Sequence, residues 1–336
     1  MKKSALIMLS FLLLLLSACG KNEENGGSDK NTSGGDKKLE KVTLMLDWYP
    51  NAVHSFLYAA QEKGYFKEQG LDVEIQMPAD TNDPLKLVAA NQIDMALSYQ
   101  PQVLVARSED IPVQSFGAIV RHPLNQLMVP ADSSIKSPKD LAGKTIGYPS
   151  IPLDEAIVQS MVKSDGGDAS KVKMVDVGWD LIPAMATKKT NALIGGYINH
   201  EKLLLDKEGH PMRTLNPADY GVPDYYELVL VGSEKELRAK PDVFKKFMTA
   251  IRKGQKFVQD NPKEGLAVLL KHEDKSSPLE QDIETKSLQI LLPLMNAKDH
   301  SFGYQDPQTW KQVADWLKSN KVIKNNVKAE DAFINY

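Results

Sequence analysis

The sequence predicts an α/β protein made of two βα halves and a helical tail. Three observations predict it. From residue 42 to about 231, short apolar runs alternate with amphipathic stretches, the pattern of βαβ units around mostly parallel sheets. The pattern restarts near residue 125, which divides it in two. Beyond Ser233 the apolar spacing becomes helical to the end, with Pro at or beside each start, where a helix has an N–H to spare. At 336 residues the chain has material for about two domains, and 42% apolar with 25% charged residues is an ordinary globular balance.

In chain order, Lys2 and Lys3 precede an apolar run over 5–16. That run is shorter than the roughly 20 residues a bilayer crossing needs, and a basic start with a short apolar core predicts a secretory signal over 1–18. The run ends in Leu16-Ser17-Ala18-Cys19, which resembles the lipobox of bacterial lipoproteins. The resemblance implies cleavage before Cys19 and lipid attachment to it, hence anchoring at the cell membrane on its extracytoplasmic face. The alternative is an ordinary signal with a chance cysteine. Residues 20–38 hold no aromatic or aliphatic side chain, so they cannot bury enough surface to offset their ordering entropy, and 19–39 reads as a flexible tether.

Strands are expected over 42–46, 73–76, 94–98, 113–119, 125–130, 145–148, 172–177, 191–194 and 226–231. Helices are expected over 51–63, closed by Gly64, and over 84–90, 101–107, 137–141, 153–163, 182–187 and 198–207. The tail offers helices over 241–259, 262–271, 279–295 and 307–319. The first of these carries a packing stripe of Val243, Phe244, Phe247, Met248, Ile251, Phe257 and Val258.

Charge and cysteine content exclude several functions. With 41 basic and 44 acidic residues the net charge is −3, which disfavours a general nucleic-acid binder. One cysteine excludes a disulfide framework and any zinc site built on several thiolates. His122, His200, His210, His272 and His300 have no metal-ligand spacing, so neither metal nor cofactor is expected.

Three blocks carry a family resemblance: Leu44-Met45-Leu46-Asp47-Trp48-Tyr49-Pro50-Asn51 with His54 and Gly64-Tyr65-Phe66; Ile93-Asp94-Met95-Ala96-Leu97; and Ser137-Pro138-Lys139-Asp140-Leu141-Ala142-Gly143-Lys144. Together they resemble the pyrimidine-precursor branch of the type II periplasmic-binding-protein superfamily, which also includes the hydroxymethylpyrimidine synthases. The resemblance implies two α/β lobes joined by two crossover strands, one lobe over 40–125 and 232–336 and the other over 126–231. It implies a monomeric substrate-binding lipoprotein of an ABC importer in thiamine-precursor salvage. Its ligand would be formylaminopyrimidine, N-formyl-4-amino-5-aminomethyl-2-methylpyrimidine, held in the interlobe cleft. Its partners would be the ABC permease with its ATPase and, through Cys19, the membrane.

A flat neutral aminopyrimidine needs aromatic faces and a carboxylate or amide for its amine hydrogens. Trp48, after a strand end, is a stacking platform or a core residue. Asp47 accepts a ligand N–H or caps the following helix; Asn51 caps that helix or touches ligand. His54, one turn on, is structural or faces the cleft. Tyr99 follows a strand at the matching edge. Tyr197 and Glu201 are four apart and would share a helix face, one stacking and the other receiving the amine; otherwise they are a surface tyrosine and a solvated carboxylate. Tyr148-Pro149-Ser150 would line the far wall.

An enzyme related to the synthases is the rival from another class. That family's pyridoxal-phosphate lysine falls at Ser98, its histidine at Gln102, its phosphate-loop glycines at Pro149-Ser150, and its cysteine run is absent. Riboflavin and taurine or other alkanesulfonates are the rival ligands for a binder.

Overall fold

The structure, a computed structural model, describes residues 38–336. The expected signal, Cys19 and nearly all of the expected tether lie outside the described residues. Among these, ten strands form two five-stranded sheets. They are β1 (Glu40–Met45), β2 (Leu71–Gln76), β3 (Met95–Ser98), β4 (Val113–Val120), β5 (Leu127–Pro130), β6 (Thr145–Tyr148), β7 (Lys173–Asp176), β8 (Ala192–Leu193), β9 (Met212–Leu215) and β10 (Leu228–Ser233). The first sheet has the order β2-β1-β3-β10-β4 and the second β7-β6-β8-β5-β9. The chain passes from the first sheet to the second after β4 and returns after β9, giving two α/β lobes.

Within the first sheet β1 runs parallel to β2 and β3, with Val42 opposite Val73 and Leu44 opposite Met95. The antiparallel member is β10, the first strand after the return crossing. In the second sheet β5 plays the same part, antiparallel to β8 and β9. A chain arriving from the other lobe enters at the cleft end and runs away from it, whereas β1, β3, β6 and β8 run toward it. The parallel strands therefore deliver their C-terminal ends, and the loops that follow, to the space between the sheets.

Several elements differ from expectation. The helix expected over 51–63 is a 3₁₀ turn, Ala52–His54, followed by a helix, Ser55–Glu62. The helix expected from 198 begins only at Glu201. The short helices Tyr65–Glu68 and Glu234–Ala239 and the strand β9 carry too little apolar periodicity to read; Arg213 and Thr214 in β9 are only half-buried. The tail helix Pro241–Asp260 buries Val243, Phe244, Phe247, Met248, Ile251 and Val258, while Phe257 stays half-buried beneath the Lys63 ammonium, 4.2 Å from its ring centre. A Cβ at Gly254 would lie 2.2 Å from the Phe56 carbonyl oxygen, so the two helices touch through backbone. That contact holds the segment after β1 against the tail.

Candidate functional site

Two walls face each other across a cavity between the sheets. The first wall is the segment after β1. Asn51, in extended backbone, caps the 3₁₀ turn: its Oδ1 accepts the Val53 N–H at 3.1 Å and its own N–H donates to His54 Nδ1 at 3.2 Å. An imidazole that accepts at Nδ1 carries its proton on Nε2, and that N–H donates to Asp47 Oδ1 at 3.0 Å. Tyr99, delivered by the end of β3, donates its hydroxyl to Asp47 Oδ2 at 3.2 Å. Burial and the Asp47 charge hold the Tyr99 proton well above the usual phenol range. Glu284, on the helix Gln281–Leu294, accepts the Ala52 N–H at 2.7 Å.

The second wall follows β8 and the crossing after β4. Gly195, at φ +84°, turns the chain so closely that a Cβ there would lie 2.3 Å from Pro149 Cδ. Its N–H donates to Asn125 Oδ1 at 2.7 Å, which fixes that amide so that Nδ2 donates to Asp154 Oδ1 at 2.7 Å. Glu227 accepts the Leu124 and Asn125 N–H groups at 2.8 and 2.9 Å and the hydroxyls of Tyr197 and Tyr225 at 3.2 and 3.4 Å. Burial nonetheless pushes its carboxyl up to about 7. Asp154 is pushed up by burial to about 8, against the Asn125 hydrogen bond.

His200 and Glu201 join the walls. Glu201 Oε1 lies 2.8 Å from His200 Nδ1, and Oε2 accepts the Tyr197 N–H at 2.8 Å. Burial opposes charge on both. The neighbouring Glu201 and Glu284 carboxylates still hold His200 above its ordinary value, and the His200 charge holds Glu201 below its own. As an imidazolium, His200 donates from Nε2 toward the Tyr49 hydroxyl at 3.3 Å, with Glu284 Oε1 at 3.9 Å.

Of the residues expected from sequence, Asp47, Trp48, Asn51, Tyr99, Tyr197 and Glu201 line one cavity. His54 does not: it is fully buried behind Asp47 and orients that carboxylate. Asp47 caps no helix; Asn51 does. Tyr197 and Glu201 do not share a helix face, because residues 195–200 turn around the site and the helix starts at Glu201. Tyr197 uses its hydroxyl on Glu227 and its N–H on Glu201. Sequence reading missed Asn125, Asp154, Asn199, Glu227, Glu284 and Trp179. Trp179 packs on Trp48 with ring centres 4.0 Å apart. It follows β7 in a βα loop, the same signal that singled out Trp48.

The cavity is tight, about 40 Å³, where roughly 150 Å³ accepts a benzene ring. An aromatic ring therefore enters only if the walls part. Three buried side-chain atoms of the lining have no protein partner: Trp48 Nε1, Asn199 Oδ1 and Asp154 Oδ2. Such orphans are costly unless a ligand meets them. Asp47, Asp154, Glu201 and Glu227 bring four carboxyl groups, and among the described lining residues there is no Lys or Arg. An anion is thus poorly served, and a neutral ligand rich in N–H donors is well served. Among the described residues, no group of three or more His, Cys, Asp or Glu is arranged to hold a metal ion. No described helix is long and apolar enough to cross a membrane.

A family model described as "NMT1/THI5 like" matches residues 51–265. The formylaminopyrimidine-binding protein of Halalkalibacterium halodurans is 44% identical over 334 residues, 99% of this chain and 98% of that protein. The 4-amino-5-hydroxymethyl-2-methylpyrimidine phosphate synthase of Legionella pneumophila is 25% identical, over 88% of this chain and 91% of its own. Among solved structures, the alkanesulfonate-binding protein SsuA of Xanthomonas axonopodis pv. citri, bound to MOPS, superposes with a TM-score of 0.71 at 13% identity, covering 89% of this chain and 99% of its own. That likeness concerns the fold: two α/β lobes of the periplasmic-binding type.

Proposed function

The chain belongs to the NMT1/THI5-like family, and on that premise we propose that it is the substrate-binding protein of an ABC importer that captures formylaminopyrimidine between its lobes. The observation that carries the ligand is the cavity's polar inventory. An aminopyrimidine brings amine hydrogens for the acceptor Asn199 Oδ1 and the Glu201 carboxylate, and ring nitrogens for donors such as Trp48 Nε1. Trp48, Tyr99 and Tyr197 supply aromatic faces. A sulfonate would enter a carboxylate-lined cavity without Lys or Arg, and the three fused rings of a flavin would have to open it further.

The protein is a binder rather than a synthase. Ser98 Oγ only approaches Gln102 Oε1 at 3.4 Å, so no amine is present there to form a Schiff base. Asp47, Trp48, Asn51, Tyr99, Tyr197 and Glu201 are assigned to the ligand, and His54 to positioning Asp47. The lobes are assigned as 40–125 with 232–336, and 126–231; sheet membership agrees with the first boundary, whereas β10 lies wholly in the first sheet, which moves the return boundary to before Leu228. Ligand bridging the walls favours a closed state that docks on the permease. Cys19 is assigned as the lipid anchor of a monomer on the extracytoplasmic face. Replacing it, as Cys19→Ala, is expected to release the protein into the medium; unchanged membrane retention would contradict that anchor.

The ligand assignment is tested by calorimetry of the full-length chain with formylaminopyrimidine, riboflavin, thiamine and taurine. Tight binding of the first alone is expected. Tight binding of taurine without the pyrimidine would overturn the assignment.

A further inference from the structure

Four carboxyl groups line the cavity, and their hydrogen-bond accounts do not match. Asp47 receives His54 Nε2–H and the Tyr99 hydroxyl. Glu201 receives His200 and the Tyr197 N–H. Glu227 receives two backbone N–H groups and two tyrosine hydroxyls. Each of these three has donors on both oxygens and can hold a negative charge. Asp154 differs: Oδ1 accepts from Asn125 Nδ2, while Oδ2, on a residue that lines the cavity, is buried and meets no donor. An ionised oxygen in that state would carry its full desolvation penalty. A proton on Oδ2 removes the penalty and turns the orphan into a donor.

We propose that Asp154 sets ligand specificity as a neutral carboxylic acid, donating its Oδ2 proton to an acceptor atom on the edge of the bound heterocycle. This rests on the aminopyrimidine reading and deepens it: the amine side of the ring faces Asn199 and Glu201, and an unprotonated ring nitrogen or the formyl oxygen faces Asp154. Gly195 packs closely against this oxygen and Pro149: a Cβ there would lie 2.8 Å from Asp154 Oδ2 and 2.3 Å from Pro149 Cδ. Asp154 sits in the first turn of the helix Pro152–Ser164, a position that favours the anion. Burial outweighs that preference and, with the Glu227 charge adding to it, lifts the group to about 8. The groups facing it are Glu227 and Tyr225 from the crossing before and into β10, Tyr148 from β6, and Asp47, Glu201 and His200 across the cavity. Glu227, at about 7 and better supplied with donors, releases its proton first.

Asp154→Asn keeps the shape, the acceptor for Asn125 and a donor in place of the acid proton. Two readouts test the proposal with the full-length chain. In calorimetry with formylaminopyrimidine, wild type is expected to bind about tenfold more weakly at pH 9 than at pH 7, the fold-change of one pH unit beyond a group at about 8. The Asn variant is expected to match wild type within about threefold at pH 7 and to change far less at pH 9. In infrared difference spectra of the ligand-free protein, wild type is expected to show at pH 6.5 a carboxylic-acid band that the Asn variant lacks and that fades through pH 8. A wild-type to variant affinity ratio that stays constant to pH 9, a tenfold loss in the variant at pH 7, or no such band would each overturn the proposal. The band present without any heat from the pyrimidine would instead overturn the ligand reading and leave Asp154 neutral. Should Asp154→Asn fail to fold, Glu227→Gln removes the other carboxyl protonated at pH 6.5, and the band that remains and its fade through pH 8 decide.

Discussion

The two walls of the cavity hold their carboxylates in different ways. On the first wall, Asp47 is satisfied by His54 and Tyr99, both from the same lobe, and His54 is fixed by the backbone of Asn51. On the second, Glu201 is satisfied by His200, whose other nitrogen faces Tyr49 and Glu284 of the opposite lobe. The first wall is complete in one lobe; the second is completed only when the lobes meet. Rigidity is thus built in on one side, and the electrostatics of closure on the other.

Removing the carboxylate that holds His200, the residue through which the second wall reaches the opposite lobe, should have the largest effect. Glu201→Ala leaves a buried imidazolium without its partner and the Tyr197 N–H without an acceptor. A stability loss of about 3 kcal/mol is expected by urea unfolding. The dissociation constant for formylaminopyrimidine should rise more than tenfold, and an unchanged constant would remove Glu201 from the site. His54→Ala should be next, at about 2 kcal/mol of stability, because Asp47 loses one donor while Tyr99 remains. Its affinity should fall less than that of Glu201→Ala; the reverse order would break the contrast between the walls. Trp179→Ala removes the ring packed on Trp48. A cost of about 1 kcal/mol in affinity and altered tryptophan fluorescence on ligand addition are expected.

The pH dependence sharpens the same contrast. His200 is held above its unfolded value, so its contribution is full below that value and is lost as pH rises through the folded one. Glu201 is held below its unfolded value, so its contribution is present above that value and is lost as pH falls through the folded one. Stability from this pair should therefore be greatest between the two, and the share of the alkaline fall that comes from the pair should be lost in His200→Gln, read by thermal unfolding across pH, while the share from the raised carboxyls of Asp154 and Glu227 remains. An alkaline fall unchanged in that variant would assign it elsewhere. The smallest effect is expected at Lys207, which meets Asp282 of the other lobe at 2.7 Å on an exposed surface. Lys207→Ala should change stability less than any of the changes above, read by urea unfolding, and the small effect should shrink as salt is added; a loss as large as that of His54→Ala would contradict it.

The sequence was most legible where local rules suffice. Alternating apolar runs gave both βα halves, and the C-terminal ends of β1 and β3 pointed to Asp47, Trp48 and Tyr99. Asp154 was illegible because an acid in the first turn of a helix reads as ordinary dipole pairing. Its burial depends on Asn125, Gly195 and Glu227, which lie far from it in sequence. Glu284 reads as the polar residue of an amphipathic helix and becomes a backbone cap only through packing on residue 52. The Tyr197–Glu201 helix face failed because Gly195 and the turn up to His200 override the helical spacing.

The most direct test of the two-wall account is a crystal structure of the chain with formylaminopyrimidine. The account predicts the ring in the cavity between the sheets, its amine on Glu201 or Asn199 and its aromatic face on Trp48, Tyr99 or Tyr197. A ligand seated elsewhere, or touching one wall alone, would contradict it.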